Sequence, residues 1–431
     1  MRRTIIFLFA VCSFFYGSLC FALDEAGLSL ETCLQIAMDN HPSLRKSKAT
    51  TRISLSQLEQ TKASNRWKVN LTGRTNINGD YDALDDRTHD GTIGINATKT
   101  LYDTGVNRLT REMNAEDISS SQEAERNTQV TVASGVKKAY YDLVLKLLNR
   151  EVEREKLANL EEHLKTARGI YEVGNSSYVE VTKAEADYAN ARVSLLKAEN
   201  DILVSQEALK TAMGVSDYDN SRLMVSTVLI LPEAAGDIDG LLSIAMRDRT
   251  DYSRILHSIR KSELEVKASA RDNSPTITGT LGTDYTKREA VSPTTDYNAA
   301  LSITIPVADG GLTKAKTASS LAGLEQNQAE EQSLRQTIAR DLRSAALSLS
   351  SAIDRAKSSE VSVKYAEENL QLAQGRYEVG VGSPLEVSDA VSTLATSRYT
   401  LYQALYDAQI ARTELDEAMG HLPPELNEGN N

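Results

Sequence analysis

The sequence predicts a mainly α-helical chain with a small β part. It is internally duplicated, with very long paired helices in coiled-coil packing and four strands of membrane-crossing length. Three observations carry this. The tetrad YEVG stands at 171–174 and again at 377–380, an offset of 206 positions (377 − 171), and the match persists on both sides. Glu180 and Val181 meet Glu386 and Val387, Met213-Gly214 meets Met419-Gly420, and LYDTG (101–105) meets VADGG (307–311). Proline is absent between Pro42 and Pro232 and between Pro306 and Pro384, windows dense in Ala, Leu, Glu, Lys and Gln, all good helix formers. Two pairs of short segments instead alternate apolar and polar residues with the period of a strand.

In chain order, residues 1–22 (MRRTIIFLFAVCSFFYGSLCFA) have a basic start, an apolar run and a small residue before Leu23. They read as a cleavable secretory signal. Leu19 before Cys20 is larger than a lipoprotein signal wants, so lipidation is not expected. A first repeat spans 23–214. It holds strands at about 67–79 and 91–102, a helix at about 106–173 and a returning helix at about 178–213. A linker, 215–235, leads to the second repeat at 236–420, with strands at about 275–285 and 297–306 and helices at about 311–379 and 384–419. Residues 421–431 form a polar tail. Further correspondence appears between LQIAM (34–38) and LSIAM (242–246). Each long helix would reach about 100 Å at 1.5 Å per residue, too long to bury itself in one globule, so coiled-coil packing follows.

In WKVNLTGRTNI (67–77), Trp67, Val69, Leu71 and Ile77 share one parity while Asn70, Thr72, Arg74 and Asn76 share the other. TIGINATKTL (92–101), TITGTLGTDY (276–285) and YNAALSITI (297–305) repeat the pattern. About ten residues suffice to cross a bilayer at a tilt. A soluble sandwich edge alternates in the same way, but four strands do not make a sandwich, and the helices offer nothing to cover the apolar face. Lipid is therefore the expected cover. Four strands cannot close a barrel, which starts at about eight, and an open edge is not viable in lipid. The barrel must be shared between protomers. Polar segments 79–91 and 286–296 are expected as exposed hairpin loops.

Composition removes other classes. Without Arg2 and Arg3 the charge moves from −12 to −14 (46 Lys+Arg against 60 Asp+Glu), which argues against a nucleic-acid partner. The mature chain keeps one cysteine, Cys33, so no internal disulfide is available. The five histidines (41, 89, 163, 257, 421) are scattered, with no HExxH, CxxC, G-x-S-x-G or P-loop, so no enzyme, metal site or cofactor is expected. Asp80, Asp82, Asp85 and Asp86 fail the calcium-loop pattern because no ligating Glu follows.

The repeated tetrad has a local reading. Gly174 and Gly380 end the long helices where positive φ is wanted. Ser177-Tyr-Val-Glu180 and Ser383-Pro-Leu-Glu386 fit a capping box that starts the next helix. Asp389 escapes that explanation, because its first-repeat equivalent is Lys183. On the residues alone it is either a solvated acid near a helix start or part of a charged lining.

Signal, strand pair, long helix, YxVG turn and returning helix, all given twice with LYDTG and VADGG after the second strand of each pair, resemble the TolC-type outer-membrane efflux proteins over essentially the whole mature chain. The resemblance implies a homotrimer with a twelve-stranded β-barrel in the outer membrane and a twelve-helix α-barrel through the periplasm. An inner-membrane pump and its periplasmic adaptor would export substrate through this duct, in drug or metal efflux or in type I protein secretion. It implies that Glu386 and Asp389 line the periplasmic gate, and that Tyr377 and Glu180 hold positions that tie the closed mouth. The family's commonly basic position in the second turn is Gly382 here, so that tie is not carried over. Val173, Gly174, Asn175 and Ser176, with Val379, Gly380, Val381 and Gly382, become the adaptor-docking tips. The alternatives are a periplasmic adaptor, which needs many more strands, and a structural coiled-coil envelope protein, which needs no alternating segments.

Overall fold

This computed structural model describes residues 28–80, 83–174, 176–219, 223, 225–288 and 291–421, with the backbone alone at 78–80 and 83–88. The leader with Cys20, part of the linker, Asp82, Asn175 and the tail beyond His421 lie outside the described residues, as do the side chains of Asp80, Asp85 and Asp86. The order is α1 (Leu30–Asn40), α2 (Pro42–Ser64), β1 (Lys68–Asp80), β2 (Ala83–Tyr102), α3 (Val106–Glu172), α4 (Tyr178–Met213), then α5 (Ile238–Asp248), α6 (Thr250–Ser269), β3 (Thr276–Arg288), β4 (Val291–Thr304), α7 (Leu312–Glu378) and α8 (Pro384–Met419).

The two repeats are one backbone drawn twice. Helices α3 and α7 are both 67 residues long, and α4 and α8 both 36. Their punctuation explains why short motifs recur. In LYDTG, the Asp103 carboxylate accepts the amides of Gly105 (3.0 Å) and Asn107 (2.8 Å), supplying partners that the first turn of α3 lacks. In VADGG, Asp309 does the same for Gly311 (2.9 Å) and Thr313 (2.8 Å). The Thr313 side chain, with the Thr313 and Gly311 amides, holds the Asp309 carboxyl below its ordinary range. The Met-Gly pairs work at the other end. Met213 and Met419 are buried, and Gly214 and Gly420 close α4 and α8 at φ 73° and 74°. A side chain there has no room: a Cβ on Gly214 would lie 2.7 Å from His41 Cα, and one on Gly420 2.8 Å from Arg249 Cα. His41 is the corner between α1 and α2, and Arg249 the corner between α5 and α6. Each returning helix thus docks end-on against the corner of its own repeat.

The hydrophobic interior is divided along the helices. Cys33, Leu34, Val136, Leu143, Leu209 and Met213 form a cluster in the first repeat, and Leu342, Leu349, Ile353 and Leu415 form its counterpart in the second. A third cluster joins the repeats near the YEVG ends, where Leu160 and Ala191 meet Leu370, Tyr377, Val387 and Leu394. Alanine is frequent in all three, which lets helices approach closely along their length.

The strands form one antiparallel sheet in the order β1-β2-β3-β4. The β2–β3 ladder joins the repeats directly. Its register aligns apolar residues in rows, among them Val69–Ala97–Leu281–Ala299 and Gly73–Ile93–Tyr285–Thr295. The opposite face carries rows such as Asn70–Asn96–Gly282–Asn298 and Arg74–Thr92–Thr286–Thr294. The apolar face is bare: Leu71 is 73% exposed, Leu301 64% and Tyr297 87%.

One expectation is corrected. The segments 79–91 and 286–296 are not loops, because the ladders run on through them, to Asp80↔Ala83 and Arg288↔Val291. Apolar alternation reports what each face meets, whereas pairing needs only backbone groups. Where both faces are polar the alternation ends and the strand continues. Thr286, Thr294 and Thr295 suit that extended backbone.

Cys33 lies in the first-repeat core, fully buried, and burial pushes its thiol up to about 12. It should resist N-ethylmaleimide at pH 8 in the native protein and react stoichiometrically in denaturant, as mass spectrometry of the two samples would show.

Candidate functional site

The long helices end in two hairpin tips built from the repeated tetrad. Gly174 and Gly380 take φ 79° and 75°, and each amide returns to a tyrosine carbonyl, Tyr171 at 2.9 Å and Tyr377 at 3.0 Å. In the second turn the amides of Val381 and Gly382 both reach the Arg376 carbonyl, at 3.0 and 2.9 Å. A Cβ on Gly382 would come within 3.0 Å of that backbone and of the Tyr377 amide nitrogen. A side chain at 382 would require that wrap to open by a few tenths of an ångström.

The serines behind the turns start the return helices. Ser177 accepts from the Val179 amide and Ser383 from the Glu386 amide, both at 3.3 Å. The reciprocal half of the capping box is not made, because both glutamates are engaged elsewhere. Glu180 accepts a 2.6 Å hydrogen bond from the Ser176 hydroxyl. Glu386 faces the guanidinium of Arg376 at 3.4 Å, and Arg376 also donates to the Val381 carbonyl at 3.4 Å. Both members of that ion pair are largely exposed, so its worth to stability is at most about 1 kcal/mol. Its effect is to set charge at the tip. Asp389 is exposed one turn further along α8.

Tyr377 sits differently from the acids. It is buried, its hydroxyl has no hydrogen-bond partner, and its ring rests 5.4 Å from the ring of buried His163. Burial, and then the charge of Glu180, push its phenol above the ordinary range. Within one chain Tyr377 and Glu180 are therefore neighbours without a bond. Arg376 and His163 were not read from the sequence. The repeat comparison that singles out Asp389 finds both, since 376 aligns with Ile170 and 163 with Asn369.

The tips also expose apolar side chains. Val173 is 71% and Val179 74% exposed in the first, with Val379 at 74% and Val381 at 66% in the second. Of the expected docking residues, Ser176 is half-buried by its bond to Glu180.

At the far end of the helices stands the four-stranded sheet, bare on its apolar face. The outer membrane efflux protein family matches residues 33–215 and 241–421, one match on each repeat. The chain belongs to that family. It is 22% identical to the outer membrane protein TolC of Vibrio cholerae over 396 residues, 90% of this chain and 89% of that one. It is 25% identical to the outer membrane efflux protein BepC of Brucella suis, covering 92% and 87%. The solved structure of CusC superposes with a TM-score of 0.78 over 91% of this chain and 92% of its own, at 20% identity. As an outer membrane efflux protein, the chain is a channel and not an enzyme. It lies in the outer membrane and extends into the periplasm. Among the described residues no helix is long and apolar enough to cross a membrane.

The exposed apolar rows of the sheet are expected to meet lipid, and the expectation can be tested. Arg at Leu71 or Ile303 should destabilise the membrane-inserted protein by roughly 2–4 kcal/mol near the bilayer midplane. Arg at Thr72 or Thr304, on the other face, should cost far less. Urea unfolding in detergent-free liposomes compares the two parities directly.

Proposed function

We propose that three copies of this chain share one β-barrel and continue it as a closed helical duct. A periplasmic adaptor docks on the tips and an inner-membrane pump drives export through the lumen, with cargo selected by the pump. The carrying observation is the sheet itself. Strands β1 and β4 each leave one side unpaired within the chain, and unpaired backbone has no place in hydrocarbon. Copies of the same chain supply the missing partners, edge to edge, twelve strands in all. Helix α4 supports this reading with an uncovered stripe of Val193, Leu196, Leu203 and Val204 at coiled-coil spacing, suited to a neighbouring protomer.

In this assembly the second tips face the axis. Glu386 and Asp389 from three protomers place six carboxylates around the mouth, which concentrates cations and repels anions. Arg376 offsets part of that charge at each Glu386. The exposed valines and the positive-φ glycines of both tips form the adaptor surface, since apolar side chains left in water at the end of a helical hairpin invite a partner.

The test separates tip from gate. Neither turn glycine has a neighbour within 4 Å of a would-be Cβ, yet φ of 79° and 75° resists any side chain. Gly380→Val should cost roughly 1–2 kcal/mol locally and fill the docking surface, while the barrel lies about 100 Å away. The heat-resistant oligomer on SDS gels should persist while adaptor capture and export fall. Asp389→Ala should spare docking and lower the cation preference measured as reversal potential in planar bilayers. Loss of the oligomer in Gly380→Val together with unchanged selectivity in Asp389→Ala would overturn both placements.

A further inference from the structure

Behind the tips lies a cavity of about 230 Å³ at the junction of both hairpins, lined by His163 of α3, Glu180, Lys183 and Asp187 of α4, Ser388 of α8 and Ser383, which caps α8. His163 is 6% exposed, and its Nδ1 has no hydrogen-bond partner. Its ring lies against Tyr377 of α7, tilted by 55°, so a first-repeat histidine holds a second-repeat gate residue. A second contact crosses the same junction, where the Ser388 hydroxyl donates to Asp187 at 2.8 Å. Two buried polar atoms, His163 Nδ1 and Tyr377 Oη, are thus left unpaired, and His163 borders a space lined by two carboxylates and one ammonium.

We propose that His163 is a proton-operated positioning residue of the periplasmic mouth: neutral, it packs Tyr377 and the second tip against the first hairpin; protonated, it turns to the carboxylates across the cavity and releases that tip. This rests on the second tip being the mouth. The charged and titratable groups that face the imidazole are Glu180, Lys183 and Asp187 from α4 and Tyr377 from α7, with the hydroxyls of Ser383 and Ser388 from α8. A charged His163 would compete with Ser388 for Asp187, so both contacts between the repeats loosen together. Burial holds the packed imidazole below its ordinary range, and Lys183 adds to this, while Asp187 and Glu180 act the other way. The sign follows. The packed arrangement disfavours the proton, so it is fully stable above the ordinary imidazole pKa of about 6.5 and loses ground as pH falls below it. With an ordinary pKa in the released state, the packed-to-released ratio falls about tenfold between pH 7.5 and 5.5.

The full-length protein is reconstituted in planar bilayers, and opening frequency is measured from pH 7.5 to 5.5 for wild type, His163→Phe and His163→Gln. Assembly is scored by the heat-resistant oligomer. Amide exchange over residues 373–388, corrected for intrinsic rates, is followed in parallel. Phe keeps a ring against Tyr377 without a proton to bind; Gln keeps a neutral polar group and carries the test if the Phe protein does not assemble. Wild type should open about tenfold more at pH 5.5 and lose protection over 373–388, while both variants show a flat profile in each measurement. A variant that retains the wild-type rise, or a wild type flat in both measurements, overturns the role of His163. Acid-dependent exchange that vanishes in the variants while opening stays flat in every protein overturns the placement of the mouth instead.

Discussion

The rest of the structure depends on one requirement: every backbone amide and carbonyl within lipid needs a partner, each lapse costing several kcal/mol. A four-stranded antiparallel sheet satisfies its interior and fails at both edges. On the proposed reading, that failure makes the chain a fraction of a barrel. The pairing of β2 with β3 places the two repeats side by side in one sheet. From this shared root α3 and α7 depart through the same Asp-capped glycine corners, so the helical part begins with a direction already set by the sheet.

The helices then carry a position over a distance. Each 67-residue helix is held along its length by small-residue packing, and the helix that returns beside it ends at a glycine that admits close backbone approach. Gly214 against His41 and Gly420 against Arg249 lock the ends of the returning helices about midway along the long helices, where Met213 clusters with Val136 and Met419 with Leu342 and a Cβ has no space. Gly174 and Gly380 have open space around them. The same residue therefore serves two purposes: packing at one end of the hairpin and backbone geometry alone at the other. That difference leaves the tips free to be shaped by a partner.

Much of this was legible in the sequence, for physical reasons that also mark where legibility ends. Long helices announce themselves through composition and the absence of proline, and duplication through motifs that recur at one offset. Strands announce themselves only where their faces meet different surroundings. The alternation from Trp67 to Ile77 was clear because one face is apolar and the other polar, whereas the polar ends of all four strands looked like loops. At the tips, Gly174, Gly380, Ser177 and Ser383 were legible because turn and cap chemistry is local. The engagements of Glu180 with Ser176 and of Glu386 with Arg376 were not, since two carboxylates in identical frames chose different neighbours. Least legible was the pairing of His163 with Tyr377, separated by more than half the repeat offset twice over and visible only once α3 and α7 lie together.

Duplication gives both hairpins the same backbone, and function on the proposed reading comes from breaking that equality one side chain at a time. Position 376 carries Arg where the first repeat has Ile170; 389 carries Asp where it has Lys183; 163 carries His where the second repeat has Asn369. All three differences fall within a few helical turns of the tips, and none falls where the helices dock on their corners, which keep Met-Gly in both repeats. A ring of identical hairpins would present uniform charge and equal contacts, with no reason for one set to move against the other. A ring that alternates a tip whose glutamate pairs with Arg376 and one whose glutamate is held by Ser176 has two kinds of contact. On the proposed reading, the contact of a tyrosine ring with an unpaired imidazole is one that such a mouth can release without disturbing the barrel.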